Sequence, residues 1–167
     1  FYGYSQSRPR VTALDAVRDA YLASVHCLDI VADLLTKSTK GQAFHKTIFR
    51  NKTLDEARSI LAQARSELQD SAIVSLVSSF ECIVFKNPCS PIQSKASRKQ
   101  IAGWRDALPH FKNRIAPRVY DDVERLCEHR NWLAHGKRWE YTPTPADPIS
   151  TYQRVSDFLT QAGLQQD

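Results

Sequence analysis

The chain has 167 residues, 42% apolar and 25% charged, with a formal net charge of +5; that length and balance suit one globular domain and exclude a disordered or fibrous chain. Five glycines and the lack of alternating β-branched runs argue against a sandwich or barrel and for an all-α fold. No uninterrupted apolar run reaches the roughly 18–20 residues that span a bilayer, and no signal-peptide pattern opens the chain, so a cytoplasmic protein with no membrane partner is expected.

Residues 1–10 read as an irregular N-terminal arm and residues 11–167 as a single helical domain. Over 11–36, Leu14, Val17, Tyr21, Val25, Leu28, Val31 and Leu35 recur at steps of three and four, the spacing of one helix face. Residues 37–52 are polar, hold Gly41 and form a connection. At Thr53 the pattern of a capping box appears: the Thr hydroxyl can accept from the Glu56 amide while the Glu56 carboxylate reaches back. Ala57, Ile60, Leu61, Ala64, Leu68, Ile73, Val77, Phe80 and Val84 then predict a helix to about Lys86, bent near Ser71. Pro88 and Pro91 break the chain.

Ile101, Trp104 and Leu108 predict a short helix over 97–108, ended before Pro109. Pro117 has the fixed dihedral of a first helical turn. Val119, Val123, Leu126, Cys127 and Leu133 continue that helix to His135, where Gly136 is a natural stop. Three prolines make 141–148 a loop, and Asp147 with Pro148 opens a last helix carrying Tyr152, Val155, Phe158 and Leu159 on one face. Four substantial helices and one short one are expected to form a four- to five-helix bundle.

Charge is placed unevenly. Residues 86–118 hold eight Lys or Arg against Asp106 alone, a local net of +7 in a chain whose total is +5. Such asymmetry suits a polyanionic partner such as nucleic acid, provided the patch lies beside a functional site; otherwise it is a solvated face. Cys27, Cys82, Cys89 and Cys127 are too scattered for a disulfide framework. The three on predicted helices are expected to be small buried hydrophobes in a reducing compartment. Cys127 and His129 lack the two further ligands a zinc site needs, so no metal or cofactor is expected.

The polar cluster Arg130-Asn131-Trp132-Leu133-Ala134-His135-Gly136 ends the predicted fourth main helix segment. A guanidinium grips two phosphate oxygens at once, and an imidazole exchanges protons near neutral pH. On a helix Asn131 and His135 share a face, whereas Arg130 and His135 do not stack. The competing structural role is local: Arg130 pairs with Glu124 or Glu128, and His135 bonds the free carbonyls of the last turn. Glu81, among apolar neighbours late in the second helix, is either a supporting acid or a partner for an Arg. Lys137, Arg138 and Tyr141, with Trp139 between them, interleave cations with aromatics as single-stranded RNA sites do; alternatively Trp139 and Tyr141 pack the last helix. Trp104 and Trp132 read as core or dimer-interface residues.

Arg130-Asn131 followed by His135, late in a small helical bundle, resembles the R-x4-6-H motif of the HEPN superfamily in its RNxxxH form. The likeness extends over about residues 11–164. It implies a bundle that forms a homodimer, with two motifs meeting across a cleft, and a metal-independent endoribonuclease of toxin or antiviral type. In that scheme His135 deprotonates the ribose 2′-OH or assists the leaving group, Arg130 stabilises charge on the phosphorane, and Asn131 orients the imidazole or the phosphate. The products are a 2′,3′-cyclic phosphate and a 5′-OH. RNA is the implied substrate, and an antitoxin or another protein a further partner. The alternatives are a non-catalytic HEPN-like module that binds RNA, nucleotide or a protein, and a helical adaptor whose basic stretch meets an acidic protein.

Overall fold

Two capping boxes launch the first two helices. The Thr12 amide donates to Asp15 Oδ2 at 3.1 Å while the Asp15 amide donates to Thr12 Oγ1 at 3.1 Å, and α1 (Ala13–Lys37) follows. The Thr53 amide donates to Glu56 Oε2 at 2.7 Å and the Glu56 amide to Thr53 Oγ1 at 3.2 Å, opening α2 (Leu54–Lys86). Each box satisfies helix donors that would otherwise lack partners. The computed structural model describes residues 12–37, 44, 46–93, 101, 103–136 and 146–164. Beyond α2 come α3 (Trp104–Ala107), α4 (Pro117–Ala134) and α5 (Pro148–Gln161), with 3-10 turns at Pro91–Gln93 and Leu108–Phe111. The fold is all-α, with five α-helices and no strand among the described residues.

The core is built on the C-terminal half of α2. Ile73, Leu76, Val77, Phe80 and Val84 are buried there against Val123 and Leu126 of α4, Val155 and Phe158 of α5, and Leu164. Each such side chain contributes roughly 1.5–3 kcal/mol by leaving water. An aromatic cluster sits at the centre. The Phe80 ring lies 5.0 Å from Trp104 and 5.1 Å from Phe158, both edge-on, and Phe111 lies 5.1 Å from Phe158. Edge-to-face contacts of this kind add to area burial and hold the four-residue α3 in place. At the other end, α1 buries only Leu14 among the described residues. It is fastened to α5 by Tyr152, whose hydroxyl donates to Asp15 Oδ1 at 2.6 Å and whose ring takes the Arg18 guanidinium at 4.6 Å.

Two sequence expectations are corrected, and one helix meets a length-and-composition test that the core helix of a soluble protein also passes. Among the described residues of the helix expected over 97–108, Trp104–Ala107 are α-helical, and the chain does not stop before Pro109 but continues through it as a 3-10 turn; proline lacks an amide donor, which a first turn does not use. Cys27 and Cys82 face solvent, as does Cys89, and only Cys127 is buried: helix phase, not apolar neighbours in sequence, sets burial. Finally, an 18-residue window of α2 averages a hydropathy of 1.4, enough by length and composition to cross a membrane. Serines interrupt it, so no uninterrupted apolar run is visible, and 39% of it is buried in the bundle.

Candidate active site

Helix α4 carries the polar cluster, and its two ends are fixed by local chemistry. Pro117 occupies the first turn, and the preceding Ala116 amide donates to Gln161 Oε1 at 2.8 Å, tying the start of α4 to the end of α5. At the far end the His135 amide donates to the Asn131 carbonyl at 3.0 Å and the Gly136 amide to the Leu133 carbonyl at 3.0 Å. Gly136 sits at φ 69°, a left-handed conformation that glycine adopts without the clash a Cβ meets. His135 is therefore the cap residue, exposed at the mouth of the helix end.

Arg130 turns the other way. Its Nη2 forms an ion pair with Glu81 Oε2 on α2, with the two side chains 21% and 17% exposed. Its Nη1 donates to Asn131 Oδ1 at 2.8 Å, and its buried Nε has no hydrogen-bond partner among the described residues. Neither Glu124 nor Glu128 takes Arg130; the acid from the neighbouring helix does. Beneath the pair lies Cys127. Burial raises its thiol pKa most, and the Glu81 carboxylate raises it further while Arg130 opposes. The thiol stays protonated and is no nucleophile at neutral pH.

Asn131 and His135 line an open groove of about 730 Å³ between α4 and the α3 segment. The size falls in the roughly 300–1,000 Å³ range of small-molecule sites. Buried Leu108 and Cys127 and half-buried Trp104 and Tyr120 line it, with exposed Arg105, Pro109, Glu124 and Glu128 at its rim. Burial, then Glu124 and Asp121, hold the Tyr120 hydroxyl above its usual pKa, so it remains a hydrogen-bond donor. Of the predicted basic stretch, Lys86, Arg105, Lys112, Arg114 and Arg118 are exposed, and of these only Arg105 borders this groove; Lys95, Arg98 and Lys99 lie outside the described residues. Lys137, Arg138 and Tyr141 lie outside the described residues, as do Trp139 and the arm at 1–10.

The structure thus brings Glu81, Arg130 and Asn131 together and sets Asn131 with His135, but it does not set Arg130 beside His135 within one chain. Asn131 is the link: its side-chain Oδ1 accepts from Arg130, and the residue borders the groove. Sequence reading missed the rest of the groove wall on α4. The signal was present, since Tyr120, Glu124, Glu128, Asn131 and His135 follow one another at steps of three or four and so share one helix face. Buried His129, one residue before Arg130, stacks at 5.7 Å on Trp132 and belongs to the packing of α4. Among the described residues no group of three or more His, Cys, Asp or Glu side chains is placed to hold a metal ion. Comparison with known protein families, with characterised proteins and with solved structures gives no match.

Proposed function

We propose that the chain is a HEPN-like endoribonuclease that cleaves RNA without a metal ion or other cofactor, acting as a homodimer whose cleft joins two copies of the groove. The reading is carried by the Glu81–Arg130–Asn131 chain ending at the groove that His135 borders. A carboxylate on one helix fixes the guanidinium on the next, and the amide relays that position toward the imidazole. Fixed donors cost little reorganisation when charge develops, which is what phosphoryl chemistry demands of a protein.

In the proposed reaction an imidazole of His135 takes the ribose 2′-OH proton, and the 2′-oxygen attacks phosphorus. The bond from phosphorus to the 5′-oxygen breaks, and the leaving oxygen takes that proton back from the same imidazolium. The guanidinium of Arg130 balances charge on the phosphorane, and the ends are a 2′,3′-cyclic phosphate and a 5′-OH. A toxin or antiviral setting, an antitoxin or other protein partner, and a cytoplasmic location belong to the same proposal. A second reading is a non-catalytic HEPN-like module that binds RNA, nucleotide or a protein, and within it the acidic rim at Glu124 and Glu128 favours the protein.

The test is incubation of the protein with total RNA in EDTA beside His135→Ala and Arg130→Ala. Cleavage that persists in EDTA and falls at least a hundredfold in both variants is expected, in line with the roughly 10²–10⁴-fold contribution of a general acid or base. Equal cleavage by all three proteins would assign the activity to a contaminant and refute the reading. Retention of RNA without cleavage would select the binding module.

A further inference from the structure

The end of the molecule opposite the core has its own chemistry. Its four exposed large hydrophobic residues among those described are Ile30, Leu34, Ile48 and Leu54, and all four lie on the distal part of the α1–α2 hairpin. Ile48 is 70% exposed and Ile30 60%. The antiparallel pairing is marked by the ion pair of Arg65 with Asp29. From that rung eight residues of α1 reach Lys37 and eleven of α2 reach back to Leu54, so the tip stands about 12–16 Å beyond it at 1.5 Å per residue. Apart from Ala57, α2 buries nothing before Ala72, and no third helix among the described residues covers this end.

The tip is also rich in cations, with Asp33, Asp55 and Glu56 flanking it on the two helices and Lys40 outside the described residues. Residues 34–54 contain five Lys or Arg and no Asp or Glu. Lys37 pairs with Asp33 and Lys52 with Glu56 across helix turns, while Lys46 and Arg50 are exposed with no acidic partner among the described residues. Successive turns hold the segment: the Thr47 amide donates to the Phe44 carbonyl, Arg50 to Thr47, and Lys52 to Phe49. Phe44 and Phe49 meet edge-to-face at 5.8 Å and are half-buried, while aliphatic Ile48 projects, 70% exposed.

We propose that the tip of the α1–α2 hairpin is a docking surface for an anionic lipid bilayer, with Ile48 entering the acyl boundary and Lys46 and Arg50 meeting headgroup phosphates. Exposed aliphatic side chains flanked by unpaired cations match that interface, where apolar burial and charge attraction act together. Nucleic acid would be served by open aromatic faces and has no use for Ile48. Such peripheral contact needs no spanning segment, which is why a search for one gave an expectation of no membrane partner. The inference stands whether or not the chain cleaves RNA.

The test is flotation of the full chain with vesicles of phosphatidylcholine, alone or mixed with phosphatidylserine, at low and high salt. Binding to the mixed vesicles only, weakened by salt, is expected. Lys46→Gln with Arg50→Gln should weaken it roughly thirtyfold, at about 1 kcal/mol per cation, and Ile48→Ser about tenfold, with RNA cleavage unchanged. These side chains are exposed, and an unchanged circular dichroism spectrum confirms the fold. Absence of flotation overturns the proposal, as does equal binding to neutral vesicles. So does carbonate-resistant insertion that ignores the tip variants, which would assign the membrane contact to α2. If Ile48→Ser instead converts a dimer to a monomer, or the paired Gln variant loses RNA retention without any vesicle effect, the tip serves a second copy or RNA and the proposal fails.

Discussion

Glu81→Gln should destabilise the protein and also disable the groove, through one contact. Glu81 and Arg130 are 17% and 21% exposed. The pair therefore lies between surface ion pairs, typically about 0–1 kcal/mol, and buried ones, where loss of a partner costs about 3–5 kcal/mol. Arg130 keeps its bond to Asn131, which softens the loss, so about 2 kcal/mol is expected, a fall in Tm of about 4–8 °C for a chain of this length. Urea unfolding of the wild type, Glu81→Gln, Arg130→Met and the double variant closes a cycle, and a coupling of about 1–2 kcal/mol is expected. Cys127 supplies an independent readout, because the carboxylate raises its thiol pKa and the guanidinium lowers it. With Cys27, Cys82 and Cys89 changed to Ser, alkylation of Cys127 at one fixed, mildly basic pH should speed up in Glu81→Gln and slow down in Arg130→Met, as its thiolate fraction shifts. A coupling under about 0.3 kcal/mol, or thiol shifts of the same sign, would refute the picture of Glu81 as the anchor of Arg130.

Thr151 is fully buried on α5 and its hydroxyl has no hydrogen-bond partner among the described residues; Thr151→Val should therefore raise stability by about 1 kcal/mol, and a loss of that size in thermal unfolding would mean the hydroxyl is bonded after all. Stability should also fall at both pH extremes through one bond. The Tyr152 hydroxyl, then Thr12, hold Asp15 below the usual aspartate range, so that contribution is present above about pH 4 and lost as pH falls below it. The bond to Asp15, then burial, raises Tyr152, so its contribution is present below about pH 10 and lost above it. Tyr152→Phe should flatten both limbs of the urea midpoint against pH, and unchanged limbs would rule the bond out as their source.

The helices were legible in the sequence because their signals are local. The Thr53–Glu56 box, Pro117 at a first turn, Gly136 in the left-handed conformation and the Asp147 cap, which accepts from the Ile149 and Ser150 amides, each act within four residues. The Thr12–Asp15 box was equally local and could have been read in the same way. The α3 segment was legible as a short helix through Ile101, Trp104 and Leu108, but neither its continuation through Pro109 nor the rings from α2 and α5 that hold it are announced by any period. Nor was the partner of Arg130: Glu81 lies 49 positions away, and only the packing of α4 on α2 selects it over the nearer Glu124 and Glu128. The groove was half legible, because helical spacing puts Asn131 and His135 on one face, while its opposite wall comes from Trp104, Leu108 and Pro109.

Helical geometry also decides how two motifs must share the proposed reaction. Five residues at 100° each set Arg130 and His135 about 140° apart around α4, and the contacts follow: Arg130 faces Glu81 on α2, while His135 borders the groove. The groove rim in one chain offers an incoming phosphate Arg105 against Glu124 and Glu128, a field that a polyanion does not favour. A guanidinium delivered from a second copy changes both facts at once, supplying the cation to a groove that already has its imidazole. If the reacting pair is Arg130 from one chain and His135 from the other, two dead variants should rescue each other. In an equal mixture of Arg130→Ala and His135→Ala, half the dimers are mixed, and each mixed dimer keeps one of two intact sites, so about a quarter of wild-type cleavage should return. Recovery should grow with the rate of subunit exchange and vanish under conditions where ultracentrifugation shows separate chains. Cleavage by a strictly monomeric wild type, or no recovery in a mixture shown to exchange, would refute the shared site.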